Sequence, residues 1–262
     1  MTEDSSRDGS TAAPTQVTCE TVRQHKRHQI AAAWALHTLT ASGVIVGMLG
    51  MHAVIDGHAR GAILWLNLAL VLDGIDGPLA RKLEVKERIP TLDGNALDLI
   101  IDYFTCTIVP VAFLDKFHVL PRHTVTLTGF AVLLVGALWM ARTDQETPER
   151  WFRGFPAEWN LIIPTLFLIN ANEWLSLGIC IVLCVLTLSR VEFPHPLSVR
   201  EQRPVSLVFI VLWLGSMSWL AIAQHDVPAV KLVLIVSPFW TVWQVIRRRW
   251  MQRNPPVGIA VP

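Results

Sequence analysis

An all-α fold, a polytopic membrane helical bundle with about eight transmembrane helices, is the class this sequence predicts. Three observations predict it. Hydrophobic residues make up 52% of the chain and charged residues only 16%, the mean hydropathy is +0.43, and the apolar residues gather into eight segments. A soluble domain carries nearer a quarter charged residues. The 262 residues, which by length alone would suggest one or two domains, therefore read as one membrane bundle.

Residues 1–28 are polar, rich in Ser, Thr and Asp, and lack the apolar core of a signal peptide. They are expected to form a disordered cytoplasmic arm, leaving the first membrane helix as the targeting signal. The apolar segments follow at 30–54, 60–81, 95–114, 123–141, 157–171, 174–190, 205–223 and 228–246. Several approach the ~20 residues that span a bilayer. The second and third carry the acidic residues discussed below. Between them, residues 82–93 form a charged linker in which Pro90 stops any helix. Residues 142–156 form a second cytoplasmic loop, and both loops are expected to be solvated connectors. The membrane domain is expected to cover 29–247, with a cytoplasmic tail at 248–262.

The fifth and sixth segments are short and are parted only by Asn170-Ala171-Asn172-Glu173. Charge decides whether they are one helix or two. With eight spans and both termini inside, 18 of the 22 Lys and Arg residues fall on the cytoplasmic side. The exceptions are Arg60, Lys116, Arg122 and Lys231. Merging the two segments would send Arg190, Arg200, Arg203, Arg247, Arg248, Arg249 and Arg253 outside, against the positive-inside rule. Arg247-Arg248-Arg249 fits topology and anionic-lipid contact. A net charge of +1 gives no support to a nucleic-acid partner, and none is expected.

Within this apolar chain stand Asp73, Asp76, Asp98 and Asp102. A carboxylate at membrane depth costs several kcal/mol unless something pairs with it. Asp73, Asp76, Gly77 and Ala80 are spaced i, i+3, i+4, i+7, and Gly94, Asp98 and Asp102 are spaced i, i+4, i+8. Each set occupies one helix face. With the two segments antiparallel, the four carboxylates face each other near the cytoplasmic side. The small residues among them allow close helix approach and leave room for a ligand. Four hard oxygen donors without His or Cys suit Mg²⁺ or Mn²⁺ rather than zinc. Such ions hold phosphates, and a pair of them can clamp a diphosphate. Arg81 is a fitting phosphate partner. The other readings of intramembrane aspartates are an Asp–Arg structural pair or an ion or proton path.

These residues resemble the signature of the CDP-alcohol phosphatidyltransferases, D-x-x-D-G-x-x-A-R followed by G-x-x-x-D-x-x-x-D. All of its fixed positions are met, by Asp73, Asp76, Gly77, Ala80, Arg81, Gly94, Asp98 and Asp102. The spacer of twelve residues, 82–93, is longer than in most of the family. It resembles the bacterial branch that accepts choline and forms phosphatidylcholine. So does the stretch Trp151-Phe152-Arg153-Gly154-Phe155-Pro156-Ala157-Glu158-Trp159-Asn160.

The resemblance implies a six-helix membrane core, here with two further C-terminal helices, often dimeric, so a homodimer is an expectation. It implies a reaction of CDP-diacylglycerol with choline, dependent on Mn²⁺ or Mg²⁺, in a multi-pass protein of the bacterial inner membrane. Carried over by position, Asp73, Asp76, Asp98 and Asp102 match the metal set, and Asp102 also matches the general base. Gly77, Ala80, Arg81 and Gly94 match the nucleotide and phosphate pocket.

Other signals are weaker. Choline is best bound by aromatic rings, and Tyr103, Phe152 and Trp159 are the named candidates, with Phe104 and Phe155 nearby in sequence. Most of the 11 Trp residues need no role beyond interface anchoring. His37 is expected to hydrogen-bond within the bundle, and Thr38, Thr40 and Ser42 are expected to pack helices or face the nucleotide. Cys19, Cys106, Cys180 and Cys184 show no zinc spacing and are read as structural. The alternative acceptors are serine, inositol and glycerol phosphate. A phosphorylated acceptor would need further basic residues, for which Arg150 and Arg153 are available. Membrane prenyltransferases share paired Asp-rich motifs but lack the Gly-x-x-Ala-Arg continuation. An ion transporter is the non-enzyme reading.

Overall fold

The computed structural model of the chain describes residues 15–195, 202–223 and 227–254. It is built of helices α1 (Thr15–Ile55), α2 (Ala59–Lys82), α3 (Val85–Arg88), α4 (Gly94–Asp102), α5 (Val109–Lys116), α6 (Val125–Met140), α7 (Trp159–Leu168), α8 (Glu173–Thr187), α9 (Arg203–Ala223) and α10 (Pro228–Arg253). A π-helical segment, Tyr103–Ile108, joins α4 to α5. Two short strands, β1 (Trp151–Arg153) and β2 (Glu192–Pro194), pair antiparallel.

All eight predicted apolar segments are helical. Five helical stretches are long and apolar enough to cross a membrane: His28–Ile55, Ala59–Lys82, Gly94–Lys116, Arg203–Ala223 and Pro228–Arg253. The other three, α6, α7 and α8, are shorter apolar helices. The break expected between the fifth and sixth segments is present. Asn170 has a positive φ of 53°, and the Asn172 side chain caps α8 by accepting from the backbone N–H groups of Trp174 and Leu175. With ten residues, α7 is about 15 Å long, half a bilayer core.

The interior is apolar. Ile63 and Leu66 of α2, Phe113 and Leu114 of α5, Val132 of α6, Ile163 of α7, Met217 of α9 and Leu234 of α10 are among its buried members. Large apolar side chains such as Ile45, Leu127, Val185 and Ile222 point outward, which in a bilayer places them against lipid rather than water. Helix α1 lies along α2 and also contacts α4 and the π segment. Gly43 and Gly47 permit that approach. A Cβ on Gly43 would come within 2.8 Å of the Ile101 side chain, and one on Gly47 within 2.8 Å of Phe104 and Thr105.

Four expectations need correction. Segment 95–114 is not one regular α-helix, because the π segment begins directly after Asp102. The loop 142–156 is not a solvated connector. Trp151 and Phe155 are buried, and β1 pairs with β2 through Trp151↔Pro194, Phe152↔Phe193 and Arg153↔Glu192. The linker 82–93 is also anchored, since Val85 and Ile89 are buried with Ala33 and Leu36 of α1. Finally, α1 begins at Thr15, inside the segment expected to be a disordered arm, and α10 runs to Arg253, inside the expected tail. Residues 1–14 and 255–262 lie outside the described residues, as does Arg200.

Candidate active site

Asp73 and Asp76 sit on the last turns of α2, and Asp98 and Asp102 sit on α4. Helix α4 starts where it does because Asp93 caps it, its carboxylate accepting from the N–H groups of Asn95 (3.0 Å) and Ala96 (3.3 Å). The cap fixes the rotation of α4 and so the direction of Asp98 and Asp102. One carboxylate oxygen from each of Asp73, Asp98 and Asp102 lies within 4.8 Å of the others. Asp76 lines the same small cavity, together with Thr40, Gly43, Ile101, Thr105 and Cys106. It is buried at 7% exposure, and its Oδ2 accepts a 2.6 Å hydrogen bond from the Thr40 hydroxyl.

Four carboxylates so close repel one another unless a cation or protons neutralise them. The donor set is all carboxylate oxygen, the preference of a hard divalent cation. Among the described residues, Asp73, Asp98 and Asp102 are the one such group that could hold a metal ion.

Around this cluster the remaining signature residues take distinct places. Arg81 is exposed at the end of α2, and its Nη1 lies 3.7 Å from where a Gly77 Cβ would stand. A Cβ on Gly94 would approach His37 Cε1 at 3.0 Å, so Gly94 makes room for that ring. His37 is buried, but its Nε2 has no hydrogen-bond partner, contrary to the bundle-bonding role expected of it. Ala80 is half-buried and packs against the small apolar cluster of α1 and the linker. Of the three helix-one hydroxyls, Thr40 reaches the site. Thr38 and Ser42 donate to backbone oxygens of Trp34 (2.9 Å) and Leu39 (2.6 Å).

The three aromatic candidates do not converge on one cage. Tyr103 opens the π segment and donates its hydroxyl to the Leu133 carbonyl of α6 at 3.0 Å. Phe152 on β1 stacks on His195, centroids 4.8 Å apart and 19° between planes. Trp159 is fully buried at the start of α7, edge-on to Phe155 at 5.4 Å. Cys106, Cys180 and Cys184 are free, buried thiols, as a structural role requires.

Two features near the site carried no sequence signal. His195 lies beyond β2, and burial, then the charges of Arg150 and Arg81, push its pKa down to about 4. The β pairing thus brings the His195 ring onto Phe152, from distant sequence. The second is Glu158, the residue before α7, whose charge acts on Asp102 and Cys106. Its position in the resembling stretch was visible, but its proximity to Asp102 depends on the tertiary packing of α7 against the π segment.

The model of the CDP-alcohol phosphatidyltransferase family matches residues 35–191. Two similar relatives are bacterial proteins named phosphatidylcholine synthase. That of Pseudomonas aeruginosa is 40% identical over 200 residues, which is 76% of this chain and 84% of the relative. That of Mesorhizobium japonicum is 39% identical over 199 residues, 76% of this chain and 74% of the relative.

Proposed function

The chain belongs to the CDP-alcohol phosphatidyltransferase family, and from that premise we propose that it transfers the phosphatidyl group of CDP-diacylglycerol to choline, releasing CMP and forming phosphatidylcholine. The observation that carries the reading is the convergence of Asp73, Asp98 and Asp102 within 4.8 Å on two helices, with Asp76 in the same cavity. The name phosphatidylcholine synthase borne by the relatives favours choline as the acceptor.

Asp73, Asp76, Asp98 and Asp102 are the residues that would hold Mn²⁺ or Mg²⁺. When bound, such an ion offsets the charge of the diphosphate and eases departure of CMP. Arg81, at the mouth of the site, pairs with phosphate oxygens. Asp102 accepts the hydroxyl proton of choline as the choline oxygen attacks the β-phosphorus. The bond from that phosphorus to the oxygen bridging to the α-phosphate breaks, and CMP leaves with the electron pair. A carboxylate is a weak base, so much of the rate must come from holding the hydroxyl against the phosphorus.

A phosphorylated acceptor would need basic residues for its second phosphate. The candidates for that role, Arg150 and Arg153, both have carboxylate neighbours, Glu146 at 3.6 Å and Asp144 at 3.4 Å. That engagement disfavours glycerol phosphate and related acceptors. The test is a panel of labelled choline, serine, inositol and glycerol 3-phosphate offered to membranes holding the protein with CDP-diacylglycerol. Choline alone should enter lipid. Incorporation of another alcohol in its place would overturn the acceptor assignment.

A further inference from the structure

We propose that Glu158 is the residue that selects a cationic acceptor, holding the quaternary ammonium of choline while Asp102 faces its hydroxyl. This rests on the choline reading above and deepens it. Glu158 is half-buried between β1 and α7, and among the described residues no guanidinium, ammonium or hydrogen-bond donor lies against its carboxylate. The neighbouring arginines are committed elsewhere: Arg153 to Asp144, Arg150 to Glu146, and Arg248 to Glu192 and Glu149. A carboxylate in an apolar interior without a positive partner is costly, and such a group is retained where a ligand supplies the charge.

Position identifies the ligand. Of the four site aspartates, Asp102 is the one on which the charge of Glu158 acts, and Cys106, one turn further along the same face, feels it too. Helix α7 packs along α5 and the π segment with Phe167 against Phe113, centroids 5.3 Å apart, so its start, and with it Glu158, lies toward Asp102, the end assigned to the acceptor hydroxyl. Choline places its positive nitrogen two carbons from that hydroxyl, so a second negative group beside the base matches its length.

A second observation points to a ligand here. The two residues after Glu158 carry polar groups buried without partners: the indole Nε1 of Trp159, at 0% exposure, and both amide atoms of Asn160, at 1%. Helix α7 packs on the π segment that follows Asp102. Buried polar groups are ordinarily satisfied, so several at one helix start mark a pocket completed by something polar. The rings of Phe155 and Trp159, 5.4 Å apart, supply its aromatic part.

The experiment compares choline with its uncharged isostere 3,3-dimethyl-1-butanol as acceptors for the wild type, Glu158→Gln and Glu158→Asp, at saturating CDP-diacylglycerol and divalent metal. For Glu158→Gln, the KM for choline is expected to rise at least about tenfold, because a buried charge has lost its partner, with kcat changed far less. The preference for choline over the isostere should collapse. Glu158→Asp keeps the charge and should keep the preference, with a smaller rise in KM. Both variants should bind CDP-diacylglycerol as the wild type does. An unchanged choline KM and preference in Glu158→Gln would overturn the proposal, as would an equal loss of turnover with both acceptors. If Glu158→Gln does not bind CDP-diacylglycerol, Glu158→Asp decides alone, and loss of its choline preference overturns the proposal. A wild type that turns over other alcohols but not choline contradicts the acceptor reading instead.

Discussion

Asp102 occupies a place that none of the other three aspartates shares. It ends α4, adjoins the π segment, and is the one of the four on which the charge of Glu158 acts. All four are proposed to hold the metal, and Asp102 alone is also proposed to take a proton. Asp102→Asn removes the acceptor of that proton and keeps the size of the side chain. Turnover is expected to fall by roughly 10²–10⁴-fold, while CDP-diacylglycerol still binds, measured by labelled-substrate retention. Full activity in that variant would remove the base assignment. His195 gives a second prediction at this scale. Its pKa is held at about 4, first by burial and then by Arg150 and Arg81, against 6.5 for an ordinary histidine. The unfolded chain therefore takes up this proton first as the pH falls, so the folded state loses stability between about pH 6.5 and 4. His195→Phe keeps a ring against Phe152 and does not titrate. Its melting temperature should fall less between pH 7 and 4.5 than that of the wild type, and parallel falls would contradict the assignment.

The elements differ in how far their sequence announced them. Eight apolar segments and the Asn170–Asn172 break were legible because hydropathy and capping are local properties. The faces of α2 and α4 were legible because helical spacing fixes them. The π segment was not, since Tyr103–Ile108 reads as ordinary helix by composition. Nor was the β1–β2 pairing, which joins residues some forty positions apart and buries a stretch that looks like a polar loop. One glycine does carry its mark. Gly154 follows β1 with φ of +88°, and a Cβ there would stand 2.3 Å from the Thr187 carbonyl oxygen. Both the backbone conformation and the contact exclude a side chain. Gly154→Ala should therefore cost roughly 1–3 kcal/mol or more, read as a lowered melting temperature of the detergent-solubilised protein. An unchanged melting temperature would show that this hairpin can shift at no cost.

At the scale of the whole molecule, the bundle brings α1, α2, α4 and the π segment to one acidic cavity, with lipid-facing apolar side chains around the outside. The four aspartates and the signature were readable from sequence alone. What needed the fold was the company they keep: Thr40 on Asp76, Arg81 over Gly77, and the start of α7, with Glu158, packed toward the π segment that follows Asp102. That arrangement is consistent with a site that takes a CDP-linked lipid from the bilayer and an alcohol from water. The carboxylate cluster is expected to make transfer dependent on a bound divalent cation. The most direct measurement supplies the purified protein with CDP-diacylglycerol and labelled choline, then removes and restores the metal. Phosphatidylcholine and CMP should form in equal amounts with Mn²⁺ or Mg²⁺, stop on chelation, and resume when the ion is returned. Choline incorporation that continues undiminished under chelation, or no choline product with metal present, would contradict the account.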